Sequence, residues 1–174
     1  MAGNVIDMKK STVGAEETLW FLEVPTDLQT PETKAFHLAF MRMEESSEES
    51  NVETEVIADV TQKIQPTEVK SMSPTLPFSG PFLKDDPVCK YLSHIYHKRL
   101  VGGAVHANML KVMTYDKNKA YKYDISIAVS GFPNAAGDLL NVTGTYSITS
   151  DGEEGTATID KTTGIATFTA KDSE

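Results

Sequence analysis

Only one cysteine, Cys89, stands in the 174 residues, so no disulfide can close within the chain. No apolar run approaches the ~20 residues that a helix needs to span a bilayer. The first ten residues, Met1 to Lys10, lack the charged-then-apolar order of a secretory signal, so the expected compartment is cytoplasmic, with no membrane attachment. Basic residues are missing where acidic ones crowd. Glu44 to Asp59 holds seven carboxylates and no Lys or Arg, within a net charge of −9. Gripping nucleic acid requires clustered Lys and Arg to neutralise phosphate, and this balance argues against it. It permits a surface beside which nucleic acid moves without sticking, although a solvated loop is the plainer reading.

Catalytic signatures are also lacking. There is no Gly-x-Ser-x-Gly elbow, no phosphate loop and no dinucleotide fingerprint. The carboxylates lie mostly in a Glu-Ser tract, which cannot hold two acids at a fixed separation. His94 and His97, three apart on a predicted helix, are near enough to share a metal. Cys89 turns about 500° away from His94 and does not join them. A cationic flank near the helix end is the favoured reading of the two histidines. The expectation is a protein with no catalytic site, no metal and no cofactor.

What the sequence does contain is strands around one helix. Asp86 as N-cap, Pro87 at the first helical position and apolar Val88, Tyr91, Leu92, Ile95, Tyr96 and Leu100 predict a helix over about 86–101. His97, Lys98 and Arg99 suit its negative end, and Gly102-Gly103 reads as its stop. Cys89 reads as a small buried or half-buried thiol rather than a reactive one. A lone amphipathic helix in a β pattern implies a sheet with one face to cover.

Strands are expected at Thr18 to Val24, Ala35 to Met43 (strand over short helix), Glu53 to Val60 and Ala104 to Tyr115. Tyr121 to Ser130 and Leu140 to Ile148 follow. A closing hairpin over Gly155 to Ala170 turns at Asp160 to Gly164. Val69 to Phe78, with Pro74 and Pro77, reads as an edge strand or extended segment. The economical architecture is one domain over 1–174, mainly β, a sandwich or barrel-like fold of seven or eight strands with one flanking helix. That domain carries an N-terminal arm over 1–17 and a polar acidic insert at about 44–55. Trp20 reads as core. Tyr115, Tyr121 and Tyr123 are the one aromatic cluster that would serve a binding platform. The arm, the insert and the proline-marked extended segments leave backbone without local partners, which self-assembly would satisfy.

Several stretches together resemble the major tail tube proteins of long-tailed (siphovirus-like) bacteriophages and related phage-tail-like particles. They are Glu53-Thr-Glu-Val-Ile-Ala-Asp-Val-Thr-Gln-Lys, Phe78-Ser-Gly-Pro-Phe, Asp85-Asp-Pro-Val-Cys-Lys-Tyr-Leu and Tyr146-Ser-Ile-Thr-Ser-Asp-Gly-Glu-Glu-Gly-Thr-Ala-Thr-Ile-Asp. The likeness runs over roughly residues 15 to 170, and none of its motifs is a catalytic signature. It implies a structural virion protein whose hexameric rings stack into a hollow tail tube through which DNA passes without specific binding. The implied partners are copies of itself, a tape-measure protein in the lumen, a tail terminator and baseplate or tail-tip proteins. The implied location is the virion tail, after assembly in the host cytoplasm. By analogy the insert carrying Glu44, Glu45, Glu48, Glu49, Glu53 and Glu55 would make inter-ring contact. The nearest variant is a contractile-tail or secretion-system tube. The alternative class is a monomeric β-sandwich binding module for carbohydrate or protein.

Overall fold

A computed structural model describes residues 17–29, 32–39, 48–56, 67–133 and 139–171. Leu19 to Val24 is apolar at nearly every position because the strand it forms is buried on both sides. In β1 (Thr18–Pro25), Trp20, Leu22 and Val24 face one core, while Phe21 faces another with Leu19 packed against it. β6 (His106–Met113) pairs antiparallel with β1 and divides its side chains likewise, Ala107 and Met109 to one side, Leu110 and Val112 to the other. A strand covered on both faces reads as a continuous apolar run, which is the pattern found here.

β2 (Lys34–Leu38) pairs on the other flank of β1, and β7 (Lys119–Gly131) on the other flank of β6. At 13 residues β7 is long enough to serve two neighbours along one edge. Its first part, Lys119 to Lys122, pairs with β9 (Glu153–Ile159), and its later part, from Ile125, pairs with β8 (Asn141–Ile148). β9 turns into β10 (Ala166–Ala170), which meets β2 at a single bridge, Ala166 to Phe36. The ring β7-β6-β1-β2-β10-β9 therefore closes on itself as a six-stranded barrel. Phe21, Leu110, Val112, Ala120, Ala157 and Ala166 fill it. β8 continues the sheet from β7, and among the described residues β5 (Thr75–Pro81) is its edge. The barrel together with β8 and β5 forms an eight-stranded sheet; the expectation of a mainly β, barrel-like fold with one helix holds.

The helix α1 (Pro87–Lys98) covers the second core with Val88, Cys89, Tyr91, Leu92 and Ile95. Asp86 caps it by accepting a hydrogen bond from the Val88 N–H at 3.0 Å, with Pro87 following, as expected. Its end differs from the expectation. Arg99 takes the left-handed conformation at φ 52°, and Leu100 N–H donates to the Ile95 carbonyl at 3.1 Å. The reason is packing: Leu100 turns back against the core, which reverses the chain three residues before Gly102. Gly102 to Val105 forms a short 3-10 turn. Tyr96, expected on the apolar stripe, is 41 % exposed.

Two strand boundaries are also corrected. The strand expected at Ala35 to Met43 is β2, ending at Leu38; positions 40–43 lie outside the described residues. The single extended segment expected over Val69 to Phe78 is two strands, β4 (Thr67–Met72) and β5, separated at Ser73-Pro74. Leu76 and Phe78 point inward as period two predicts, but Met72 does not. The closing hairpin turns at Asp160 to Gly164 as expected. The Asp160 carboxylate accepts from Thr162 N–H and the Thr163 hydroxyl, both at 2.8 Å, and Gly164 supplies φ +71°.

Candidate assembly surface

Among the described residues β3 (Val52–Val56) pairs only with β4, and every residue of both strands is exposed. The root of this hairpin is tied to the main sheet. Glu49 and Thr75 exchange both backbone hydrogen bonds at 2.8 Å, which makes the hairpin a direct continuation of β5. Asn51, in the left-handed region at φ 43°, donates from its side chain to the Ser73 carbonyl and the Thr75 hydroxyl at 3.1 and 2.9 Å. Glu48 forms an ion pair with Lys111 at 2.5 Å, and the Lys111 ammonium lies 4.9 Å from the centre of the Trp20 ring. These contacts aim the hairpin from a fixed base.

The two faces of the hairpin differ in chemistry. The register pairs Val52 with Met72, Thr54 with Val69 and Val56 with Thr67, so these six side chains share one face. The other face carries Glu53, Ser71, Glu55 and Glu68, with Ser71 donating to Glu53 at 3.1 Å and Lys70 4.0 Å from Glu55. Val52, Val56, Val69 and Met72 are 46, 55, 62 and 57 % exposed, so an apolar face stands in solvent with nothing of the described residues upon it. A two-stranded hairpin alone is marginal in water. Contiguous exposed apolar surface of this kind marks an interaction site.

The six glutamates expected to form one contact loop therefore divide. Glu48 and Glu49 anchor the root, Glu53 and Glu55 lie on the polar face of the arm, and Glu44 and Glu45 lie outside the described residues. The four apolar side chains on the opposite face were not singled out from the sequence as a contact surface. For Val52 and Val56, alternation with Glu53 and Glu55 was the available signal.

Groups considered for other chemistry each have a neighbour in the fold. Trp20 is core, as expected, with Tyr123 6.2 Å away between ring centres. Tyr121 lies beside Tyr123, but Tyr115 turns its hydroxyl to the Met113 sulfur at 3.0 Å, so the three do not form one platform. His97 stacks flat on Phe132, 5.7 Å between centres at 14°. Cys89 is buried and accepts from the Leu83 N–H; burial pushes its thiol up to about 11, which leaves it protonated at neutral pH.

A groove of about 740 Å³ opens where Leu19, Phe21, Leu38 and Ile159 meet the loop Phe82 to Pro87. It holds His37, whose pKa burial lowers against the opposing pull of Asp86. Of the polar groups that line it, Asp86 is engaged by the helix cap and Thr163 by Asp160.

No protein-family model matches the chain, and no curated protein does. Among solved structures, it is similar to a chain from the tail of an empty gene transfer agent particle, determined with C6 symmetry. The TM-score is 0.56 at 12 % identity over 91 % of this chain and 100 % of that one. A chain from the virion of a native gene transfer agent particle gives 0.55 at 13 % identity over the same shares. The likeness defines the fold: a mainly β domain with one helix, of the kind found in a chain from the tail of a gene transfer agent particle.

Proposed function

We propose that this protein is a structural subunit of a phage tail or phage-tail-like particle. Its copies assemble into hexameric rings that stack as a hollow tube, and DNA passes through that tube without being specifically bound. The observation that carries the reading is the arm: an amphipathic hairpin, anchored at its root and uncovered along its apolar face, on a fold shared with tail proteins. Each of its four large apolar side chains is about half exposed. Covering them on another copy gains on the order of 3–6 kcal/mol per arm. That is weak for one pair and strong when repeated around a ring, which lets free subunits persist until assembly is nucleated. The arm with Glu53 and Glu55, and the insert with Glu44, Glu45, Glu48 and Glu49, make the contact between rings in this reading. A tape-measure protein fills the lumen, and terminator and baseplate or tail-tip proteins close the ends. The site of action is the virion tail, after assembly in the host cytoplasm, and the role is not catalytic.

Negative-stain microscopy of the concentrated protein, seeded with tail-tip fragments where needed, should show rings or hollow tubes. The double substitution Val69→Asp, Met72→Asp should keep the circular dichroism and Tm of the parent and form no tubes. Tubes forming unchanged from that variant would remove the arm from assembly. A gene neighbourhood with no tape-measure or portal gene would overturn the tail reading itself.

A further inference from the structure

The backbone groups of β5 alternate in direction. Ile148 N–H donates to the Pro74 carbonyl at 2.9 Å, and Phe82 N–H donates to the Leu140 carbonyl at 2.7 Å. In an antiparallel ladder this parity turns the even positions from 74 to 82 toward β8 and the odd positions outward. Thr75 agrees, since both its outward groups are taken by Glu49. Past that contact the outward positions are Pro77, Ser79 and Pro81. Two of these three carry no N–H. The inward ladder is left whole, because Leu76, Phe78 and Gly80 supply the donors toward β8.

An edge strand of seven residues with all its outward donors intact is a template for a strand from another chain. Here the template is interrupted at every second outward position. The pyrrolidine rings also occupy the space into which an incoming carbonyl would come. The arm is built the other way, with no proline in Val52–Val56 or Thr67–Met72. We infer that Pro77 and Pro81 close the β5 edge to strand addition by a second copy of the chain, leaving the arm as the strand-pairing element on this side of the molecule. The guard matters because each copy carries an exposed, β-forming hairpin, and an open β5 edge would capture it in the wrong register. This holds for the isolated chain whether or not it is a tail subunit.

The test is the double substitution Pro77→Thr, Pro81→Thr, with Pro81→Thr alone as the milder variant should the double fail to fold. Circular dichroism and the urea midpoint should match the parent, because the backbone groups of both positions face away from β8. In sedimentation, at concentrations where the parent is unassembled, the variant should form larger species at about one tenth of the concentration the parent requires. In those species the amides at 77, 79 and 81 should be protected from hydrogen exchange. Sedimentation identical to the parent at every concentration would overturn the inference, as would new species whose amides at these positions stay unprotected. The converse variant, Ser79→Pro, completes the guard and should assemble as the parent does. Loss of assembly in Ser79→Pro would show that the β5 edge is itself an interface, and would also overturn the inference. Tube formation by the parent is a separate readout and bears only on the tail reading.

Discussion

Gly144 lies in β8 opposite Phe78 of β5 and Val129 of β7, where three strands must lie close. The Phe78 ring stacks on Tyr146 at 4.5 Å and covers the place a side chain at 144 would occupy. A methyl group there meets both the Phe78 ring and the Ala128 carbonyl oxygen. The ring can tilt, but the carbonyl belongs to the neighbouring strand and moves only with it. Gly144→Ala should therefore destabilise the fold by roughly 1–3 kcal/mol, read as a lower urea midpoint with an unchanged slope. At this scale the sequence is legible where the chemistry is local. Asp86-Pro87 specifies a helix start because a cap and a fixed φ act within three residues. Arg99 was illegible, because its left-handed turn is imposed by Leu100 packing against the core. Gly102-Gly103 offered a better stop by composition alone.

Helix α1 joins the core of the sheet to the loop that leads out of β5, and Asp86 sets its entry. Its carboxylate satisfies one N–H that the first turn would otherwise leave unpaired. Asp86→Ala should cost about 1 kcal/mol of global stability, while Asp86→Asn should restore most of it, both measured by urea denaturation. Among the strands, period two located Leu76 and Phe78, Tyr123 to Val129, and the closing hairpin. It could not distinguish β3 from a half-buried strand. Val52, Thr54 and Val56 alternate with Glu53 and Glu55 in the same manner as residues that face a core. Alternation reports that two faces differ; it does not report whether anything lies on the apolar one. The division of β4 from β5 was hidden for a related reason. Ser73-Pro74 leaves the chain extended, and only the partners change, from β3 on one side to β8 on the other.

The closure of the barrel was legible at neither smaller scale, because it joins segments far apart in sequence. Lys119 to Lys122 of β7 meets the start of β9, where Glu153 and Glu154 supply the opposing charge. Glu154 lies 3.2 Å from Lys119 and 3.8 Å from Lys171, and Glu153 lies 3.1 Å from Lys122. On the opposite flank, β10 reaches β2 through one bridge, so the β9–β10 hairpin is held to the barrel chiefly by β7. Lys119 hydrogen-bonds Glu154 and holds its carboxyl below the usual range. Thr162 N–H, with the Thr163 hydroxyl second, does the same for Asp160 at the turn. A carboxyl whose folded pKa is lowered stabilises the fold above its unfolded value and loses that contribution as pH falls through the folded one. The window therefore opens at the ordinary carboxylate value of about 4 and extends below it. These groups are exposed, so the effect is local and salt-sensitive rather than a collapse of the whole domain. Hydrogen exchange followed from about pH 6 to about pH 3, corrected for intrinsic rates, should show amides of Thr156, Thr158 and Thr167 losing protection first. Those of Leu22 and Leu110 in the doubly covered strands should hold. Added salt at neutral pH should weaken the same hairpin amides in part, since screening removes the ion pairs but not the hydrogen bonds of the Asp160 turn. Uniform loss of protection across β1, β6, β9 and β10 would mean that the barrel opens as one unit, with no seam to yield first.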